Sequence, residues 1–378
     1  MAGGARLNGT SPVYLDHNAT APLRREAADA MTAAAALCGN PSSVHAFGRA
    51  ARQVVEEARE RVATLASARP ADIVFTSGGT EANNLAILGC GRNRILASAI
   101  EHPSVLEAAD GIETIPVGTG GVVDLDALRS MLERPGPPAL VSLMLANNET
   151  GVIQPVAEAA ALAHERGALM HCDAVQAAGR LPVDFAALGV DLLTLSAHKM
   201  GGPKGAGALI VGEYVRLEPI IRGGGQERRR RSGTENLPGI AGFGAAAGLV
   251  APGLAAADEL AKLRDALERR VIEEIPAARI VARDSGRLRN TSCLALPGVP
   301  AETQVMALDL EGVAVSAGSA CSSGKVRPSH VLRAMGLPDE IAACAVRVSL
   351  GPENGETDIQ RFVNAWKTVA IRADRSAA

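Results

Sequence analysis

A chain of 378 residues is too long for one ordinary core and predicts two domains, one of them large. Its 47% hydrophobic and 21% charged residues describe a globule, and a net charge of -3 argues against a general polyanion binder. Aromatic residues make up 2%, so the core must be Ala, Val, Leu and Ile, and no aromatic platform for nucleic acid is expected.

Residues 1–12 lack the apolar centre of a signal peptide, and no apolar run approaches the roughly 18 residues that span a bilayer, so a cytoplasmic protein without a membrane partner is expected. The six cysteines (Cys38, Cys90, Cys172, Cys293, Cys321 and Cys344) show no Cys-x-x-Cys pair and no metal spacing with histidine, so neither a metal site nor a disulfide framework is expected. Val13–Asp16 reads as a strand, His17–Pro22 as a turn, and residues 24–37 and 48–66 as helices. The second carries an apolar stripe of Val54, Val55, Ala58, Val62 and Leu65. From Ile73 short apolar runs alternate with helical segments. Strands are expected at Ile73–Phe75, Arg94–Ala97, Ile112–Pro116, Ala139–Leu145, Ala168–His171 and Leu192–Leu195, with helices from Thr80 and Pro103 and at Asp124–Leu132 and Val156–Arg166. This rhythm predicts an α/β fold with a mainly parallel central sheet, Gly207–Val211 returning antiparallel, and ligands gathered at the carboxyl ends of the strands. A helix over Asn236–Val250 precedes Pro252-Gly253, where the composition changes. Beyond it, a helix over residues 255–275, strands at Ile280–Ala282, Ser292–Leu296, Val313–Ser316 and Ala345–Leu350, and further helices predict a smaller α+β domain. The expected division is 16–251 for the large domain and 1–15 with 252–378 for the small one.

Lys199 ends an apolar strand and is followed by a run of glycines and a proline. Desolvation disfavours its ammonium form, and a neutral amine is what Schiff-base chemistry with a carbonyl needs. The bland alternative is a strand-end lysine whose head reaches solvent, and Lys204, inside the turn, is the local competitor. Ser77-Gly-Gly-Thr80-Glu81 joins a strand to a helix and suits a phosphate, or else is a threonine N-cap with a glycine turn. It matches neither a dinucleotide nor a nucleoside triphosphate loop. Asp173 ends another strand and could pair with a protonated pyridine nitrogen or cap the following turn, and Gln176 could donate to a ring oxygen. Together these residues point to pyridoxal 5'-phosphate.

The motifs that follow one another along the chain resemble those of the cysteine desulfurases of the nitrogen-fixation and iron–sulfur-assembly type, within the fold type I pyridoxal-phosphate enzymes. They are Tyr14-Leu-Asp-His-Asn-Ala-Thr20, Gly39-Asn-Pro-Ser-Ser-Val-His45, Thr76-Ser-Gly-Gly-Thr-Glu-Ala-Asn83, Glu101-His-Pro103, Asn147-Asn-Glu-Thr-Gly151, His171-Cys-Asp-Ala-Val-Gln176, Ser196-Ala-His-Lys199, Gly223-Gly-Gly-Gln-Glu227, Arg231-Ser-Gly-Thr-Glu-Asn236, Ser316-Ala-Gly-Ser-Ala-Cys-Ser-Ser323 and Arg347-Val-Ser-Leu-Gly351. The resemblance implies that Gly79 and Thr80 hold the cofactor phosphate with Ser196 and His198, and that His102 stacks on the ring and moves protons. It implies that Asn148 lies at the cofactor and, with Arg347, receives the substrate carboxylate, Asn147 being the neighbour that could be confused with it. Thr234 would reach the phosphate of the opposite subunit of a homodimer. Cys321, in a run of small residues with no regular period, would take sulfur from L-cysteine as a persulfide, leaving L-alanine, and deliver it to an iron–sulfur scaffold or another acceptor protein. Cys90, Cys172, Cys293 and Cys344, with apolar or regular-element neighbours, read as buried. The run Arg228–Arg231 carries more arginines than the family pattern. A selenocysteine lyase or an aminotransferase would use the same Lys199 and Asp173, the aminotransferase with no role for Cys321. A non-catalytic relative would have no reason to keep the whole set.

Overall fold

The computed structural model describes residues 11–254, 257–318 and 328–377. Its strands are β1 Val13–Tyr14, β2 Ile73–Thr76, β3 Arg94–Ser98, β4 Glu113–Ile115, β5 Ala139–Ser142, β6 Leu169–Asp173, β7 Leu192–Ser196, β8 Gly207–Val211, β9 Arg279–Val281, β10 Thr291–Ala295, β11 Val313–Ala314, β12 Ser316–Ala317 and β13 Ala345–Ser349. A seven-stranded sheet runs β2, β8, β7, β6, β5, β3, β4. Neighbours in it are parallel except for β8, which is antiparallel to both β2 and β7. As expected, β8 turns straight back after the Lys199 turn. β2, β5, β7 and β8 are buried at every residue, as a sheet covered on both faces requires.

Helix packing on this sheet follows from side-chain size. Ala51, Val55, Ala58 and Val62 form the buried stripe of the helix Ala46–Leu65. It crosses the helix Leu237–Ala247 so closely that a Cβ on Gly244 would stand 2.6 Å from the Cα of Ala58, and only glycine allows that approach.

The strands β12, β13, β10 and β9 form a separate antiparallel sheet. Leu267, Val271, Leu308, Phe362 and Trp366 share an apolar cluster with its inner residues Leu294, Val346 and Val348. Phe362 and Trp366 stack at 5.6 Å, and the indole N–H donates to Gln304 Oε1, so the one tryptophan is buried with its polar atom satisfied. Val13 and Leu15 belong to this cluster, because β1 pairs with β11.

Several details differ from the reading of the sequence, among them the strand expected over Val313–Ser316, which divides into β11, paired with β1, and β12, paired with β13. The strand expected over Ala139–Leu145 ends at Ser142, although Leu143 and Leu145 still donate to the carbonyls of His171 and Asp173. The helix expected over Asn236–Val250 closes at Ala247, and a short helix Val250–Leu254 follows. A further helix, Phe185–Leu188, capped by Asp184, is too short to carry a readable period.

Candidate active site

Since β8 reverses between β2 and β7, the carboxyl ends of β2, β3, β5, β6 and β7 lie along one edge. A cavity of about 220 Å³ opens there. It is lined by Gly79, Thr80, His102, Asn148, Asp173, Gln176, Ser196, His198 and Lys199, drawn from five separate strand ends, and by Asn83 and Ser104.

Lys199 closes a single 3-10 turn after β7, half-buried, with its Nζ donating to the carbonyls of Asn18 (2.6 Å) and Ala19 (3.0 Å). Burial, aided by the cations of Arg347 and Arg180, lowers its amine from 10.5 to about 7. Its head is held by those two carbonyls, whereas Lys204 is exposed in the turn and does not line the cavity.

Asp173 ends β6, buried, its Oδ1 accepting from the Val175 N–H (2.9 Å) and its Oδ2 from Asn83 Nδ2 (2.8 Å). It does hold the backbone of the turn after it, and it also faces the cavity. Next to it Glu101 is fully buried, and burial, followed by the Asp173 charge, pushes its carboxyl well above the usual range. The ring of His102 is held by Ser104, whose N–H donates to Nδ1 at 3.1 Å. A nitrogen that accepts carries no proton, so neutral His102 has its proton on Nε2. Burial lowers His102 below its usual value, which favours that neutral form. It is not a core histidine. That description fits His171, fully buried between Ser142 and Thr194 and lowered by burial to about 4.

At the helix Gly79–Gly89 the N-cap is Gly78 with no capping side chain, so Thr80 is not the cap, and its exposed hydroxyl lines the cavity. A Cβ on Gly79 would stand 2.9 Å from Val175 Cγ2, so glycine is what lets the helix end approach the opposite wall. Ser196 is buried at the end of β7, and His198, lowered to about 4 by burial and by nearby cations, contacts Thr20 Oγ1 at 3.3 Å.

The two adjacent asparagines separate cleanly. Asn147 is fully buried, its Oδ1 accepting from the N–H groups of Glu149 and Thr150, whereas Asn148 is half-buried and lines the cavity. Arg347 on β13 stands behind Asn148 rather than in the cavity wall. Its Nη1 donates to the Asn148 carbonyl (3.0 Å), its Nη2 to Asp16 Oδ1 (2.7 Å), and its buried Nε has no partner. Thr234 lines a separate cavity of about 130 Å³ with Ser77, Arg231 and Glu235. Cys321 lies outside the described residues. Cys90, Cys172, Cys293 and Cys344 are buried as expected, and Cys38 is exposed.

The class-V aminotransferase model matches residues 13–362. A cysteine desulfurase of Cereibacter sphaeroides is 45% identical over 366 residues, covering 93% of this chain and 94% of that protein. The solved NifS-like protein of Rickettsia africae ESF-5 superposes with a TM-score of 0.89 at 37% identity, over 95% of this chain and 99% of that one. The chain belongs to the class-V aminotransferases, among their cysteine desulfurases. A solved SspA in complex with cysteine also superposes, with a TM-score of 0.77 at 29% identity over 91% of this chain and all of that one.

In this desulfurase the sequence motifs located the residues lining the cavity but passed over those that hold them. Asn83 and Ser104 orient Asp173 and His102, and the carbonyls of His17, Asn18 and Ala19 hold Arg180, Gln176 and Lys199. Asn83 and the 17–19 turn lie inside quoted motifs. A carbonyl leaves no trace in residue type, and so gave no signal. The Arg228–Arg231 run has a structural use for its last member, since Arg231 pairs with Glu81, whose Oε2 also takes the Ser77 N–H before the helix Gly79–Gly89.

Proposed function

We propose that the protein converts L-cysteine to L-alanine and takes the sulfur onto Cys321 as a persulfide, with pyridoxal 5'-phosphate as its cofactor. The observation that carries this reading is the Lys199 amine, lowered to about 7, in one cavity with Asp173, His102 and an uncapped helix N-terminus. The residues fit the cofactor. Free N–H groups at the start of Gly79–Gly89, the Thr80 hydroxyl, Ser196 and His198 suit its phosphate, and Asp173 and Gln176 suit its ring. When bound, pyridoxal phosphate supplies an aldehyde carbon for amines and a ring that takes up an electron pair.

Lys199, largely neutral just above its midpoint, accepts a proton and later returns it. His102 offers the proton on Nε2, and Asp173 holds a protonated partner opposite Asn83. Asn148 positions the substrate carboxylate, and Arg347, held against the Asn148 carbonyl, supplies the charge. The Cys321 thiolate attacks the substrate sulfur. The sulfur–sulfur bond forms as the carbon–sulfur bond breaks, and a proton takes the place of sulfur on the carbon, so cysteine plus thiol becomes alanine plus persulfide without an outside oxidant.

The reading extends to a homodimer in which Thr234 serves the partner's cavity, supported by its exposure and by its absence from the lining of the Lys199 cavity. It extends also to a large domain over 16–251 and a small one over 1–15 and 252–378, with separate apolar clusters in support. An iron–sulfur scaffold or another sulfur carrier would be the acceptor, in the cytoplasm. No described helix is long and apolar enough to cross a membrane. The test is Cys321→Ala: it should bind the cofactor as wild type does and form neither persulfide nor alanine from cysteine. Alanine formation at the wild-type rate, or a keto acid as the product of the wild type, overturns the reading.

A further inference from the structure

A second cavity, of about 250 Å³, shares Lys199 with the first, and Arg180 is in its wall. Arg180 Nη1 donates to the backbone oxygen of Gln176 (2.8 Å) and to its Oε1 (3.1 Å), and Nη2 donates to the carbonyl of His17 (2.9 Å). All three acceptors are neutral, and no carboxylate among the described residues hydrogen-bonds to this guanidinium. Burial and the Arg347 cation lower it to about 10, so it remains charged at neutral pH.

Guanidinium has no acceptor, so the atom facing Nη1 must be the amide oxygen of Gln176. Its nitrogen then donates to the Asn18 carbonyl at 3.0 Å, an acceptor that could not face an oxygen. Both neighbours impose one orientation of the amide, and its second N–H is left for a ligand in the cavity that Gln176 lines. The Asn18 carbonyl also receives Lys199 Nζ. Arg180 and Lys199 are thus bound to the successive carbonyls of His17 and Asn18.

We propose that Arg180 is a positioning residue of this site: its fork turns the Gln176 amide nitrogen toward the ligand, and its uncompensated charge disfavours a second cation at Lys199. The charges acting on Lys199 are Arg347 and Arg180, which lower it, and Asp173 and Asp16, which raise it, all on top of burial, and His102 and His198, both lowered from their usual value, line the same cavity. Arg347 is already paired with Asp16, which leaves Arg180 as the cation of the two without a counter-ion. The half concerning Gln176 rests on the cofactor reading above. The half concerning Lys199 does not.

The experiment labels the full chain with trace acetic anhydride across pH, with and without added pyridoxal phosphate, and reads Lys199 by peptide mass spectrometry alongside cofactor affinity. In the cofactor-free chain, Arg180→Gln should move the Lys199 midpoint up by about one pH unit, and Arg180→Lys, which keeps the charge, should leave it near wild type. With fewer N–H groups to divide between Gln176 and His17, Arg180→Lys should bind pyridoxal phosphate about tenfold more weakly at unchanged melting temperature. An unmoved midpoint in a folded Arg180→Gln overturns the proposal. Should that variant not fold, wild-type cofactor affinity in Arg180→Lys does so. A wild type that takes up no pyridoxal phosphate would instead sink the cofactor reading, and the cofactor-free midpoints would still decide the effect on Lys199.

Discussion

At the scale of the residue, titration couples chemistry to stability. The Lys199 amine is depressed to about 7, so its neutral, proton-accepting form grows as pH rises through that value. The rate at which the cofactor-free chain condenses with an added aldehyde should climb about tenfold per unit below this midpoint and level off above it, which reductive labelling of Lys199 against pH will show. His171 runs the opposite course for stability. Its folded value, about 4, lies below the usual 6.5, so in acid the unfolded chain takes up the proton first. The stability it confers is complete above the unfolded value and is lost as pH falls toward 4, on the order of 3 kcal/mol for this one buried ring. Denaturant unfolding of the cofactor-free chain at a series of pH values measures the fall, and His171→Gln should make it shallower.

At the scale of the element, the turn before Thr234 is the costly piece. Glu227, Arg228 and Arg229 all take positive φ (44°, 55° and 65°) although none is glycine, a conformation that side chains disfavour by roughly 1–2 kcal/mol per residue. What holds them is Glu227, buried, bonded through both oxygens to the fork of Arg59 at 2.8 and 2.9 Å and also accepting the Phe75 N–H. Arg59→Met leaves that carboxylate unpaired in the interior. It should cost about 3–5 kcal/mol in denaturant unfolding, with the loop of Thr234 the first segment to lose hydrogen-exchange protection.

At the scale of the whole molecule, the Thr234 loop lines the cavity of Arg231 and Glu235 and not that of Lys199. If each loop serves the other subunit, Lys199→Ala and Thr234→Val damage different halves of one site. Each variant alone should be weak. A one-to-one mixture, dissociated and reassembled, should recover roughly a quarter of wild-type activity, because half the dimers are mixed and each mixed dimer has one intact site. No gain on mixing would mean that every site is built from a single chain.

The sequence by itself determined the layered fold, since alternation of apolar runs with helices dictates a parallel sheet, and its motifs picked out Lys199, Asp173, His102 and Thr80, which line one cavity at the strand ends. Residue type alone did not separate Asn147 from Asn148, both polar and adjacent, and the choice of Asn148 rested on the resemblance. The fold did so by burying one under three accepted bonds and turning the other to the cavity. Nor could it show the carbonyls of His17, Asn18 and Ala19 holding Arg180, Gln176 and Lys199, because those partners stand more than 150 positions apart and every peptide carries the same oxygen. Only the tertiary structure, by bringing that turn under the strand ends, decided which cations act on the lysine.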